Sequence, residues 1–119
     1  LLVARLERGE YEWVQHVPIA EHAGCRKDQI AALEAARIDG AEFSAKERAM
    51  LKLSKEVIRD VRAAEGTVAE AKKHFSPQEI VEIILTCGFY MTMARLTETT
   101  RVDIDGPGGA AVLDGIAKR

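Results

Sequence analysis

The sequence predicts an all-α domain, and three observations carry that prediction. Apolar residues recur at helical spacing along most of the chain. Two Ser-x-x-Glu capping boxes, at Ser44–Glu47 and Ser76–Glu79, each open a long stretch of that pattern. No segment alternates with the two-residue period of a strand, and no solenoid-type repeat is present.

Taken in order, Leu1 to Arg8 reads as helix, with apolar residues at 2, 3 and 6, and Gly9 breaks or bends it. Residues 10–23 continue as helix, with Trp13, Val17 and Ala20 on one side and Tyr11, Val14 and Pro18 on a second strip. Pro18 removes one hydrogen bond, which predicts a kink just beyond His16 and a carbonyl near Val14 in need of a partner. Gly24 is a C-cap. Asp28 to Ile38 reads as a short Ala-rich helix ending near Gly40.

The Ser44 box opens a helix to about Ala64. Its apolar stripe is Ala49, Met50, Leu53, Val57 and Val61, and its wet side is Lys46, Lys52, Lys55, Glu56 and Arg59. Gly66 is read as its end, and Thr67 to His74 as a shorter helix or turn. Ser76-Pro-Gln-Glu79 is the strongest helix start in the chain. The helix behind it runs to about Thr99 and leaves few polar faces between Ile80 and Leu96. It is therefore expected to be the central helix, buried on all sides. Gly88 in its middle costs roughly 1 kcal/mol against Ala, a cost that close approach of another helix or a ligand would offset. Val102 to Ile104 reads as extended, Gly106 to Gly109 as a flexible break, and 110–117 as a last helical turn or two. The expected organisation is one helical domain over 1–104 and a Gly-rich break with a helical tail over 105–119. The chain opens on Leu1 in mid-pattern, and upstream residues are expected to be missing.

Bulk properties exclude several classes. A chain of 119 residues fits one domain with a thin core. Net charge is −2, so no basic footprint points to nucleic acid. No apolar run approaches the roughly 18 residues of a membrane span, and no signal-peptide pattern is seen. Cys25 and Cys87 belong to no metal or redox motif, which favours a reducing compartment, the cytoplasm. The glycines at 106–109 lack the spacing and Lys of a P-loop.

The chemistry concentrates between Gly9 and Gly24. This stretch holds the only Trp, Trp13, and two of the three histidines, His16 and His22. Glu12 and His16 share a helix face at i, i+4. A carboxylate beside an imidazole suits acid–base work, since it orients the ring. The same spacing also describes an ordinary helix-surface pair.

Three segments together resemble the carboxymuconolactone decarboxylase family, which shares an all-helical fold with the alkylhydroperoxidase AhpD. They are Tyr11-Glu-Trp-Val-Gln-His16 with Ala20 and Gly24, then Phe43 to Met50, then Gly88 to Leu96. The redox members of that family carry Cys-x-x-Cys ahead of the histidine. Here the corresponding positions are Gly9 and Glu12, so both sulfurs are absent. The resemblance thus implies the cofactor-free, metal-free decarboxylase branch, acting on a small carboxylated lactone or related organic acid. It implies His16 as proton donor, Glu12 as its orienter or a second acid, and Tyr11 and Trp13 as lining. Arg95 suits a bidentate clamp for a substrate carboxylate; its alternative is an ion pair at the end of the long helix. The family also implies a homo-oligomer, a trimer or hexamer. Two other classes compete: a redox protein with atypical cysteines, and a non-catalytic oligomeric binding protein of the same fold.

Overall fold

The computed structural model describes residues 1–104 and Gly115. Among these it contains six helices and no strand. They are α1 (Leu2–Leu6), α2 (Glu10–His22), α3 (Lys27–Glu34), α4 (Ala45–Asp60), α5 (Glu65–Lys72) and α6 (Pro77–Thr100). The all-α class is as the sequence predicts. The Gly-rich break and the tail expected over 105–119 lie outside the described residues, Gly115 apart.

Both capping boxes form. Ser44 accepts from the Glu47 amide while Glu47 accepts from the Ser44 amide at 2.7 Å, and Ser76 and Glu79 repeat this geometry. Each box satisfies two amides that a helix start leaves free. The N-terminus of α5 is capped at long range instead: the Glu56 carboxylate of α4 accepts from the Ala64 amide and the Thr67 hydroxyl, at 2.9 and 2.8 Å. Gly66 therefore lies inside α5 and does not end α4. That end comes at Val61, which takes a left-handed φ of 64° and is 88% exposed, so it is no part of the apolar stripe. The stripe that α4 buries is Ala49, Leu51, Leu53, Ser54 and Ile58.

Helix ends were the least legible feature. In α1, Arg8 takes φ 58° and the Gly9 amide reaches back to the Ala4 carbonyl at 2.8 Å. In α3, Ala36 takes φ 54° and Arg37 reaches Ala32 at 2.8 Å, which stops the helix well short of Gly40. These are Schellman-type ends built without glycine. Helix α2 ends as its sequence announces, on Gly24 with φ 93°, and α6 ends at Thr100, one residue past its expected end.

The most completely buried helix is α1, not α6. Four of the five α1 residues, Leu2, Val3, Ala4 and Leu6, are buried. Leu2, Val3 and Leu6 pack with Ala32, Leu33, Phe43, Leu51, Ile58 and Cys87, and a second cluster joins Leu53, Ala71 and Ile80. The Arg59 guanidinium of α4 donates to the Leu6 carbonyl at 2.8 Å, tying down the end of α1.

Helix α6 departs from the expectation of burial on all sides. It buries only Ile80, Cys87, Ala94 and Thr97. Val81, Ile84, Leu85, Phe89 and Leu96 are exposed, so a broad apolar face looks away from the bundle. The helix is also long and apolar enough to cross a membrane by length and composition, with a mean hydropathy of 1.4 over its qualifying window. The reason for the exposure is geometric: α1, α2, α4 and α5 all pack against α6, yet together they cover one side of it.

Candidate functional site

The candidate site lies where α2 runs antiparallel to α6. Glu10 is level with Glu98, Glu12 with Thr97, and His16 with Tyr90: the Glu10 amide donates to the Glu98 carboxylate at 2.9 Å, and the Thr97 hydroxyl lies 2.8 Å from Glu12 Oε1. Gly9 makes the approach possible. A Cβ there would stand 2.5 Å from Glu12 Oε2 and 3.0 Å from the Ala94 Cβ. A larger residue at position 9 would have to displace the end of the Glu12 side chain and crowd Ala94.

His16 is held at both ring nitrogens. Nδ1 lies 2.7 Å from the Glu12 backbone carbonyl, and Nε2 lies 2.9 Å from the Tyr90 hydroxyl. A carbonyl only accepts, so Nδ1 carries a proton. The two rings meet edge to face, with centroids 5.0 Å apart. Both are half-buried. Phe89, the neighbour of Tyr90, is 59% exposed, because one residue step turns about 100° around the helix.

Glu12 is placed differently from expectation. It is the one fully buried residue of α2, at 3% exposure. Its carboxylate turns towards Thr97, and Oε2 has no hydrogen-bond partner. The direct hydrogen bond to His16 comes from the Glu12 main chain, so the side chain is not what orients the ring through that bond. Placing this carboxylate out of water costs several kcal/mol unless it is fully paired.

The remaining residues separate. Trp13 is half-buried and packs against the core cluster that holds Leu2, Val3 and Leu6. Tyr11 is half-buried on α2. Arg95 forms an ion pair with Glu7 and donates to the Met91 carbonyl at 2.8 Å, which is the ion-pair alternative read from the sequence. Tyr90 was missed, although it stands in the Gly88–Leu96 segment that carries the resemblance. The only signal was its position, two steps around the helix from Gly88 and on the side of Cys87 and Ala94.

Cavities of about 520, 650, 340 and 370 Å³ open elsewhere on the described residues. Neither Glu12 nor His16 lines any of these four. The largest of these by volume is a groove lined mostly by charged residues, among them Lys52, Lys55 and Glu56. A mostly apolar one is bordered by Leu2, Met50, Ile83 and Cys87. Both cysteines are free, and burial pushes both thiols above their ordinary range, which disfavours the thiolate. Among the described residues, no group of three or more His, Cys, Asp or Glu is arranged to hold a metal ion.

No protein-family model matches the chain, and no curated protein or solved structure is significantly similar to it.

Proposed function

We propose that this chain is a cofactor-free acid–base catalyst, a carboxy-lyase acting on a small carboxylated lactone or related organic acid. The observation that carries the reading is His16 held between the Glu12 carbonyl and the Tyr90 hydroxyl. With the ring protonated, Nε2–H donates to the phenol oxygen and the phenol O–H is left to point at a substrate. The C–C bond to the substrate carboxylate breaks, CO2 leaves, and the electron pair stays behind as a dienolate conjugated to the lactone carbonyl. The Tyr90 proton passes to the dienolate carbon, the His16 Nε2 proton passes to the phenolate oxygen, and water restores the imidazolium. Glu12 acts as a positioning residue, through its carbonyl on the ring and its carboxylate on Thr97.

The resemblance to the carboxymuconolactone decarboxylase family supports the substrate class and a homo-oligomer. The cytoplasm is the proposed compartment, on the two free thiols. The raised thiols and the missing Cys-x-x-Cys speak against the redox branch. One observation favours a second reading, a structural tie between α2 and α6 in a non-catalytic binding protein: the four cavities avoid the His16–Tyr90 pair.

A panel of small carboxylated lactones, keto acids and peroxides offered to the purified protein separates the readings. The lyase reading expects CO2 release from a lactone or keto acid. It expects His16→Ala and Tyr90→Phe to lower turnover by about 10²–10⁴-fold with the helical content unchanged. Loss of stability in either variant, with no turnover by the parent on any substrate, supports the structural tie.

A further inference from the structure

The outward face of α6 has no partner within the described chain, and its composition is unlike the rest of the surface. Val81, Ile84, Leu85, Phe89 and Leu96 are 53%, 41%, 66%, 59% and 53% exposed. Together they show roughly 500 Å² of apolar surface, near the top of the range of about 300–600 Å² for the largest patch on a monomer. With Thr92, Met93 and the bare backbone at Gly88, the face approaches the roughly 800 Å² per partner of a standard interface.

Gly88 is the second observation. A Cβ placed on it meets nothing within 4 Å. Among the described residues, no turn, no positive φ and no packing requires a glycine at the middle of this 24-residue helix. The close approach expected from the sequence is therefore not made to another part of the described chain.

The face is also self-complementary. Val81, Leu85, Gly88 and Thr92 follow one another at spacings of four, three and four, the seam of a helix pair. In an antiparallel pair related by a two-fold axis at the Gly88–Phe89 step, Leu85 of one helix is level with Thr92 of the other. Val81 is level with Leu96, and the two Gly88 backbones meet beside the axis. Of the charged residues beside the seam, Arg95 is already paired with Glu7 of its own chain, so the match rests on the apolar face. Such a surface satisfies the condition for an isologous contact, in which one patch meets its own copy.

We infer that the exposed face of α6 is a homodimer interface, in which two copies pack α6 against α6 antiparallel across Gly88. This contact is independent of the proposed chemistry. A dimer, or a hexamer containing it, has the required two-fold axis.

Sedimentation equilibrium of the full chain at about 1–100 μM tests this, together with Leu85→Glu and Gly88→Ala. The expected result is an even-numbered assembly. Leu85→Glu is expected to weaken association at least 100-fold while leaving the melting temperature at high dilution unchanged, because Leu85 is exposed in the monomer. Gly88→Ala is expected to weaken association about tenfold and to raise the melting temperature of the dilute monomer. A monomer at 100 μM, a trimer without two-fold contacts, or a dimer indifferent to Leu85→Glu overturns the inference. So does a monomeric chain that binds phosphatidylcholine–phosphatidylglycerol vesicles through this face, since the apolar surface would then serve a membrane.

Discussion

Helices α4 and α6 begin with the same device, a serine N-cap answered by a glutamate three residues on, but they meet the bundle differently. Helix α4 is amphipathic, and its apolar stripe is the side that is buried, with Leu53 at 1% exposure. Helix α6 is apolar on nearly every side, and much of that surface faces outwards, with Leu85 at 66%. The difference teaches that a polar face in the sequence locates the solvent, whereas the lack of one does not locate the core. In α4 the lysines mark the wet side; of the expected stripe, Ala49 and Leu53 are fully buried, Met50 and Val57 half-buried and Val61 exposed. In α6 every side qualifies for burial, and only the arrangement of α1, α2, α4 and α5 decides which side obtains it.

The most severe break in this comparison is a pair of truncations. Leu53→Ala removes a fully enclosed side chain and is expected to cost about 2–5 kcal/mol. Leu85→Ala removes an exposed one and is expected to change the dilute monomer by about 0.5 kcal/mol or less. Urea unfolding at low protein concentration measures both. Similar losses in the two variants would mean that α6 is covered within the monomer, contrary to the structure.

Acid sharpens the comparison by acting on what the two helices share. The Glu47 and Glu79 carboxyls are held below the ordinary range first by the Ser44 and Ser76 amides, and Glu56 by the Ala64 amide. A carboxyl lowered in the folded state contributes stability that is complete above its unfolded value, about 4.3. That contribution fades as pH falls through the lower folded value. All three side chains are near the surface, so the effect is small and screened by salt. Helix content followed by circular dichroism should be flat above pH 5 and decline below about 4, and Glu79→Gln should reduce the pH-dependent part. An unchanged profile in Glu79→Gln would show that the box at α6 is not formed.

What the sequence makes legible follows from how local the cause is. The capping boxes, the Gly24 end and Pro77 in the first turn of α6 depend on neighbours within about four residues, and they appear as expected. The ends at Arg8, Ala36 and Val61 adopt left-handed φ without glycine, and no local signal announces them. Gly66 looks like a helix end in the sequence but lies inside α5, because the cap that starts α5 comes from Glu56, eight residues before Ala64 and on another helix. The site divides in the same way. The i, i+4 placement of Glu12 and His16 is local. The partners that decide its chemistry, Tyr90 and Thr97, are 74 and 85 positions from His16 and Glu12 respectively. The spacing points the Glu12 side chain at the ring, but the residue accepts from it directly through its backbone carbonyl. That follows from helix geometry, since the carbonyl at i−4 lies within reach of the side chain at i.

The central claim is that the His16 ring is fixed at both nitrogens, with the proton on Nδ1 and Tyr90 on Nε2. Long-range proton–nitrogen correlation spectroscopy of ¹⁵N-labelled protein, recorded with the ring neutral, reads this directly. The expected result is an Nδ1–H tautomer in the parent and a displaced Nε2 resonance in Tyr90→Phe, with the fold unchanged. An Nε2–H tautomer, or a ring indifferent to Tyr90→Phe, would contradict it.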